Sequence, residues 1–224
     1  MIAGADGFKG QWIVVSENSD GSTAIQLAPT LTDLCADPKL ELLIADVPIG
    51  LMEQGSRACD TMARKLIGAR RNSVFTPPLR PALEASTWEE ACEIRTRIEG
   101  KRYSRQTFGI LPLIRSVDRV MTPALQDRVR EGHPEVSFTV MAGAPMKHYK
   151  GTAEGKEERM HALAQEFPDF RQRLDAFGVR SAVTDIVDAY ALLWTARRVR
   201  AGTARILPDE PEFDGRGLRA EIVA

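Results

Sequence analysis

A chain of 224 residues, 43% of them hydrophobic and with a formal charge of only −1, can bury a sizeable core, as one large domain or two small ones. Its three cysteines, Cys35, Cys59 and Cys92, are odd in number and too widely spaced for a C-x-x-C clip. They suggest neither a disulfide framework nor a thiolate zinc site, and a reducing cytoplasm fits best. No basic leader follows Met1 and no run of about 18 apolar residues occurs, so the sequence predicts a soluble, cytoplasmic chain without a membrane span.

In chain order, residues 2–6, 11–17, 23–28 and 40–46 read as strands, rich in Ile, Val, Leu and Trp and separated by "DGFKG", "NSDGS" and "PTLTDLCADPK". The first three are close enough for an antiparallel meander. A short helix at about 30–37 makes the fourth compatible with a parallel partner. Helical periodicity then runs through most of 56–131, broken at "FTPPLRPAL", "GKRYSRQTFGILP" and Thr122-Pro123. The segment 52–132 is basic, with 15 Lys and Arg against 10 Asp and Glu, a balance of +5 that leaves −6 elsewhere. Within it "RACDTMARKLIGARRNSVFTPPLR" sets Arg57, Arg64, Lys65, Arg70, Arg71 and Arg80 against Asp60 alone. Such a face is either solvated helix surface or a phosphate-contacting one.

"HPEVSFTVMAG" returns to strand alternation, with Glu135, Ser137, Thr139 and Met141 on one face. "GTAEGKEERMHALAQEF" predicts a helix capped at Thr152. "TDIVDAYALLWTARRVRAG" predicts the strongest helix, with Thr184 or Asp185 as cap, Arg197, Arg198 and Arg200 near its end and Gly202 as terminator. There is no internal repeat or low-complexity tract. These elements describe one α/β domain around a mixed sheet, with a long helical insertion after the fourth strand.

Two of the strands end on an acid, Asp6 in "IAGADGFKG" and Asp46 in "LLIADVPIGL". Neighbouring strands lie about 4.8 Å apart, so two such carboxylates on one side can share a hard cation. Asp185 and Asp188, three apart, lie on one face of the last helix, and Glu135 heads a strand-like segment. Several close carboxylates repel unless a cation neutralises them, and an all-oxygen set favours Mg²⁺ or Mn²⁺ over zinc. Two such ions about 3.5–4 Å apart would support in-line phosphoryl displacement by water. Each acid also has a plain structural role: Asp6 starting the turn at Gly7, Asp46 accepting donors of the turn at Pro48, Asp185 and Asp188 favoured by the helix dipole, and Glu135 pairing with an arginine.

"GADGFKGQW", "IADVPIGL", "RACDTMARKLIGARRNSVFTPP", "SRQTFGILPLIRSVD", "HPEVSF", "KGTAEGKEER" and "TDIVDAYALLWTA" together resemble the successive motifs of the DUF429 family, described as predicted RNase H-like nucleases. The resemblance implies a five-stranded mixed sheet of order 3-2-1-4-5 flanked by helices, with Asp6 on the first strand and Asp46 at the end of the adjacent fourth. It also implies that the last helix brings Asp185 or Asp188 to the same site, as in RuvC-like members. Glu135 is a ligand, a supporting group or an anchor for insertion arginines.

The expected function is metal-dependent hydrolysis of phosphodiesters in DNA or RNA, with two Mg²⁺ or Mn²⁺ ions held by Asp6, Asp46 and Asp185 or Asp188. Lys65, Arg70, Arg71 and Lys150 would hold phosphates, and Ser104 and Gln106 would hydrogen-bond the substrate. Trp12 and Phe75 are stacking surfaces or core. The alternatives are a catalytically inactive binding or scaffold protein and a hydrolase of a small phosphorylated nucleotide; a homodimer is compatible with either. An actin-like phosphotransferase is disfavoured, because "DGFKGQW" lacks the hydroxyl residue of a phosphate turn and no second glycine-rich loop follows.

Overall fold

The computed structural model describes residues 1–224. β1 (Ile2–Phe8), β2 (Gln11–Glu17) and β3 (Thr23–Ala28) form the expected antiparallel meander. Helix α1 (Leu31–Ala36), capped by Thr30 through the Asp33 N–H, carries the chain across to β4 (Leu42–Ala45), which runs parallel to β1. Four helices follow: α2 (Ala58–Ile67), continued by a 3₁₀ segment at Gly68–Ser73, then α3 (Trp88–Glu99), α4 (Arg105–Gly109) and α5 (Leu111–Val120). β5 (Val129–Glu131) pairs in parallel with β4 and completes a five-stranded sheet of order β3-β2-β1-β4-β5, the RNase H-like arrangement. Beyond it come α6 (Pro134–Ala142), α7 (Ala153–Glu166), α8 (Phe170–Phe177), α9 (Val183–Arg200) and a separate hairpin of β6 (Ile206–Phe213) and β7 (Arg219–Val223).

The period-two alternation of the strands divides the interior cleanly. Ile2, Ile13, Val15, Leu42 and Ile44 face one core, with α9, Phe138 of α6, Leu163 of α7 and Phe170 of α8. Ala3, Ala5, Trp12, Val14, Leu43 and Ala45 face the other, with Leu31 and Leu34 of α1 and Ile114 and Val117 of α5. Trp12, 1% exposed, is therefore core and no stacking surface. So the even-numbered residues of β1 and β4 look toward α9, and Asp6 and Asp46 continue those two rows.

Glycine sets how close α9 comes. A Cβ on Gly4 would lie 2.2 Å from the Ala189 carbonyl oxygen and 2.3 Å from the Leu193 nitrogen, so the helix backbone rests directly on β1. Because backbone is what the methyl would meet, Gly4→Ala is expected to cost at least the about 1–3 kcal/mol typical of overpacking. Urea denaturation checks this, and an unchanged midpoint would contradict the close approach.

Four sequence expectations are corrected. "HPEVSFTVMAG" forms helix α6, not a strand: Pro134 stands in its first turn, Gly143 ends it with φ +70°, and residues 134–139 are all buried. Its apparent alternation carried no information because both of its faces pack. The fifth strand is instead Val129–Glu131, inside the stretch 52–132 expected to be helical insertion. Helix α5 of that stretch belongs to the main core, through Ile114 and Val117. Finally, α9 starts at Val183 after a 3₁₀ turn at Arg180–Ala182, with neither Thr184 nor Asp185 acting as its cap. The β6–β7 hairpin, interrupted by Pro208 and Pro211, was not anticipated.

Candidate active site

The parallel register of β1 and β4 places Ile2 beside Leu42 and Gly4 beside Ile44. It carries on past the strand end, where the Asp46 N–H donates to the Ala5 carbonyl at 2.9 Å. Asp6 and Asp46 thus leave the same end of the sheet on the same face. The third acid descends from above: α9, seated on Gly4, turns Asp188 inward, where it is 2% exposed. Asp185, one turn earlier, is half-buried at the margin of the group.

Burial and the neighbouring charges of Asp46 and Asp188 raise the proton affinity of Asp6 well above the usual carboxylate range. Burial, with Asp188 and Glu135, raises Asp46 to about 7, against the opposing pull of Lys150. Burial and Asp188 also raise Asp185. The one cation among them is Lys150, whose Nζ donates to Asp188 Oδ2 at 2.8 Å, an ion pair that raises the lysine's own proton affinity. The other oxygen of Asp188, Oδ1, is buried without a hydrogen-bond partner. A carboxylate rarely leaves a buried oxygen unsatisfied unless something else is meant to meet it.

A raised carboxyl value has a definite consequence for stability. The native state keeps the Asp46 proton over a range, from about 4 to about 7, in which the unfolded chain has lost it. Stability from this group is fully present below the unfolded value and is lost as pH rises through about 7. Urea denaturation at pH 5 and pH 8 is expected to show the wild type losing more stability between them than Asp46→Asn; equal losses would contradict it.

The remaining predicted residues divide. Lys150, Arg70 and Gln106 line a cleft of about 400 Å³ that opens beside Asp46, together with Phe75, Asn72 and His133. Lys65 and Arg71 line a shallower basic depression farther out. Ser104 caps α4, its Oγ accepting the Thr107 N–H at 3.0 Å, and it lines a second cleft together with Gln106. Glu135, on helix α6 rather than a strand, gives both carboxylate oxygens to Arg159, at 2.6 and 2.8 Å from Nη2. That arginine belongs to α7, not to the insertion. It also donates to the carbonyls of His148 and Gly155, so Glu135 anchors the loop that presents Lys150. The loop is pressed close: a Cβ on Gly155 would lie 2.0 Å from the Tyr149 carbonyl oxygen.

Asp6 partly fills its plain role, since its Oδ1 accepts the Gly7 N–H at 2.7 Å. The turn role considered for Asp46 falls to a residue the sequence did not point to. Glu131 Oε2 accepts the Ile49 N–H at 2.6 Å, and Arg57, buried behind it, bonds Glu131, Asp60 and the Ile49 carbonyl. This group holds the "VPIGL" turn that follows Asp46. The imidazole of His133, placed by Ser73 O at 3.2 Å from Nε2, is held toward its neutral form by burial. A nearby Asp-x-His spacing would have flagged it; none exists.

As arranged, no three His, Cys, Asp or Glu side chains stand in coordinating geometry, with Lys150 lodged against Asp188. The donor set nevertheless fits a hard divalent cation: all oxygen, drawn from three separate elements, with an excess of negative charge and one unsatisfied buried oxygen. No helix is long and apolar enough to cross a membrane.

Sheet order and acid placement define the class, an α/β protein of RNase H-like architecture with carboxylates gathered at one end of the central strands. The chain belongs to the family described as protein of unknown function (DUF429), whose model matches residues 4–213. No curated protein and no solved structure gave a significant match.

Proposed function

We propose that this protein is a metal-dependent phosphodiester hydrolase acting on nucleic acid. The observation that carries the reading is the convergence of Asp6, Asp46 and Asp188 from three elements, with a buried Asp188 Oδ1 that nothing in the chain satisfies. Asp6, Asp46 and Asp188, with Asp185 at the margin, would hold Mg²⁺ or Mn²⁺. Such ions supply an activated water and stabilisation of the leaving oxygen.

The protein's own groups do the rest. The main-chain bond between Asp46 and Ala5 fixes the spacing of the two strand-end acids. Lys150 neutralises part of their repulsion and, 36% exposed at the cleft wall, can turn from Asp188 to a substrate phosphate. Arg70 adds positive charge on the same wall while its Nη2 donates to the Lys147 carbonyl at 2.7 Å, which ties the two cation-bearing segments together.

The test is cleavage of labelled single-stranded, duplex, hybrid and branched DNA and RNA in Mg²⁺, Mn²⁺ or EDTA, with Asp6→Asn prepared in parallel to expose contaminating nucleases. Cleavage that needs both metal and Asp6 supports the reading. Metal-independent cleavage, or cleavage equal in the variant, rules it out. A small phosphorylated nucleotide is the second reading, favoured by one observation: the cleft's volume of about 400 Å³ is that of a small-molecule site.

A further inference from the structure

The cleft beside the carboxylates does not end at its own walls. Asn72, Phe75 and Gln106 line it and also line a second cleft, of about 470 Å³, and Arg64 and Arg71 of that one line the outer depression with Lys65. The three adjoin through these shared side chains and trace a channel-like path from Asp46, past a partly exposed phenyl ring and two side-chain amides, to a basic floor.

The charges along it cluster on α2 and the 3₁₀ segment that continues it. Arg95, which also lines the second cleft, is paired with Glu99, as Arg57 and Arg80 are paired with carboxylates elsewhere in the segment. Arg64, Lys65, Arg70 and Arg71 have no such partner: Arg64 and Arg70 bond only to neutral oxygens. The acid nearest in sequence to Arg64 and Lys65, Asp60, is taken up by buried Arg57. Arg71 and Lys65 are exposed. Four cations left without counter-charges on one wall fit a ligand that brings several negative charges at intervals.

The channel's inner chamber suits one nucleotide unit, while a base pair with its two backbones needs more room. The ring of Phe75 offers a face to a base, and only an unpaired strand has base faces free to take it. The amides of Asn72 and Gln106 offer donors and acceptors to a base edge that pairing would otherwise occupy.

We infer that the channel binds a single strand of nucleic acid: one phosphodiester at the carboxylates, a base against Phe75, and the following phosphates on Arg71 and Lys65. The inference rests on the hydrolase reading for the position of the reacting phosphate, but binding alone tests it.

The experiment is a fluorescence anisotropy titration of the full chain with labelled 12-nucleotide single strands, as DNA and as RNA, and with a 12-base-pair duplex, in EDTA across a salt series. At least one of the single-strand series is expected to bind roughly tenfold or more tightly than the duplex. Lys65→Ala with Arg71→Ala, both on exposed positions, is expected to flatten the slope of log K against log salt by about 1.4, at about 0.7 per phosphate contact on a single strand. Phe75→Leu is expected to weaken single-strand binding by roughly tenfold, while Phe75→Tyr restores it. Duplex binding as tight as single-strand binding, or a slope unmoved by the double substitution, overturns the inference. Single-strand binding without any metal-dependent cleavage leaves the channel standing and removes the hydrolase reading; cleavage by a protein that prefers duplex does the reverse.

Discussion

Asp46→Asn is expected to lower metal-dependent cleavage by about 10³-fold, on the basis that a cation stabilises the transition state by several kcal/mol and each about 1.4 kcal/mol is tenfold in rate. The fold should not suffer. Asp46 is held by its main-chain bond to Ala5, and the asparagine amide has nearly the same shape as the carboxyl. Burial and the charge of Asp188 already work against ionisation of Asp46, so removing that charge relieves repulsion. The variant should therefore unfold at the same urea concentration as the wild type or a higher one, measured at pH 8 without metal. A large loss of cleavage with unchanged stability identifies a chemical role; a parallel loss of both would make Asp46 a structural residue.

The largest stability effect is expected at a position away from the acids. Arg57 is 3% exposed and makes five hydrogen bonds, two to Asp60, two to Glu131 and one to the Ile49 carbonyl. Burial opposes its charge, yet Asp60 and Glu131 hold it firmly protonated. Arg57→Ala leaves two buried carboxylates facing one another, and breaking a buried pair in this way costs about 3–5 kcal/mol. Replacing Arg57, Asp60 and Glu131 together by apolar residues of similar volume should cost far less, because no charge is left unpaired. Urea denaturation of both variants checks the difference. A cost below about 1 kcal/mol for Arg57→Ala would show that the turn after Asp46 is held by something else.

The first four strands were legible because their apolar residues alternate and their turns are marked by glycine, asparagine and aspartate. With the sheet order implied by the family resemblance, those strands put Asp6 and Asp46 on one face. Three things were not legible. β5 is three residues long and carries Arg130 at its centre, too little for a pattern to register. Helix α6 is buried all round through its first six residues, so its β-branched residues mimic a strand while Pro134 and Gly143 bound a helix. The hairpin at the C-terminal end has two prolines where a strand would ordinarily be denied.

Within the site, spacing alone leaves Asp185 and Asp188 equivalent, since residues three apart share a helix face. Their difference comes from the approach of α9 to Gly4, which buries Asp188 and leaves Asp185 at the edge. The pairing of Lys150 with Asp188, 38 residues apart, and of Arg159 with Glu135 depends on how the loop before α7 folds back. Neither is a periodic signal. The cluster of Arg64, Lys65, Arg70 and Arg71 was visible as charge, but that none of the four meets a carboxylate depends on the fold, which gives the neighbouring Asp60 to Arg57.

Everything proposed for catalysis depends on the carboxylates holding a divalent cation in competition with Lys150. The most direct test is Mn²⁺ titration of the wild-type protein and of Asp46→Asn and Asp188→Asn, followed by electron paramagnetic resonance of the free ion. The account predicts saturable Mn²⁺ binding by the wild type, tighter at pH 8 than at pH 5, and its loss or marked weakening in both variants. Failure of the wild type to bind Mn²⁺, or binding equal in all three proteins, would contradict it.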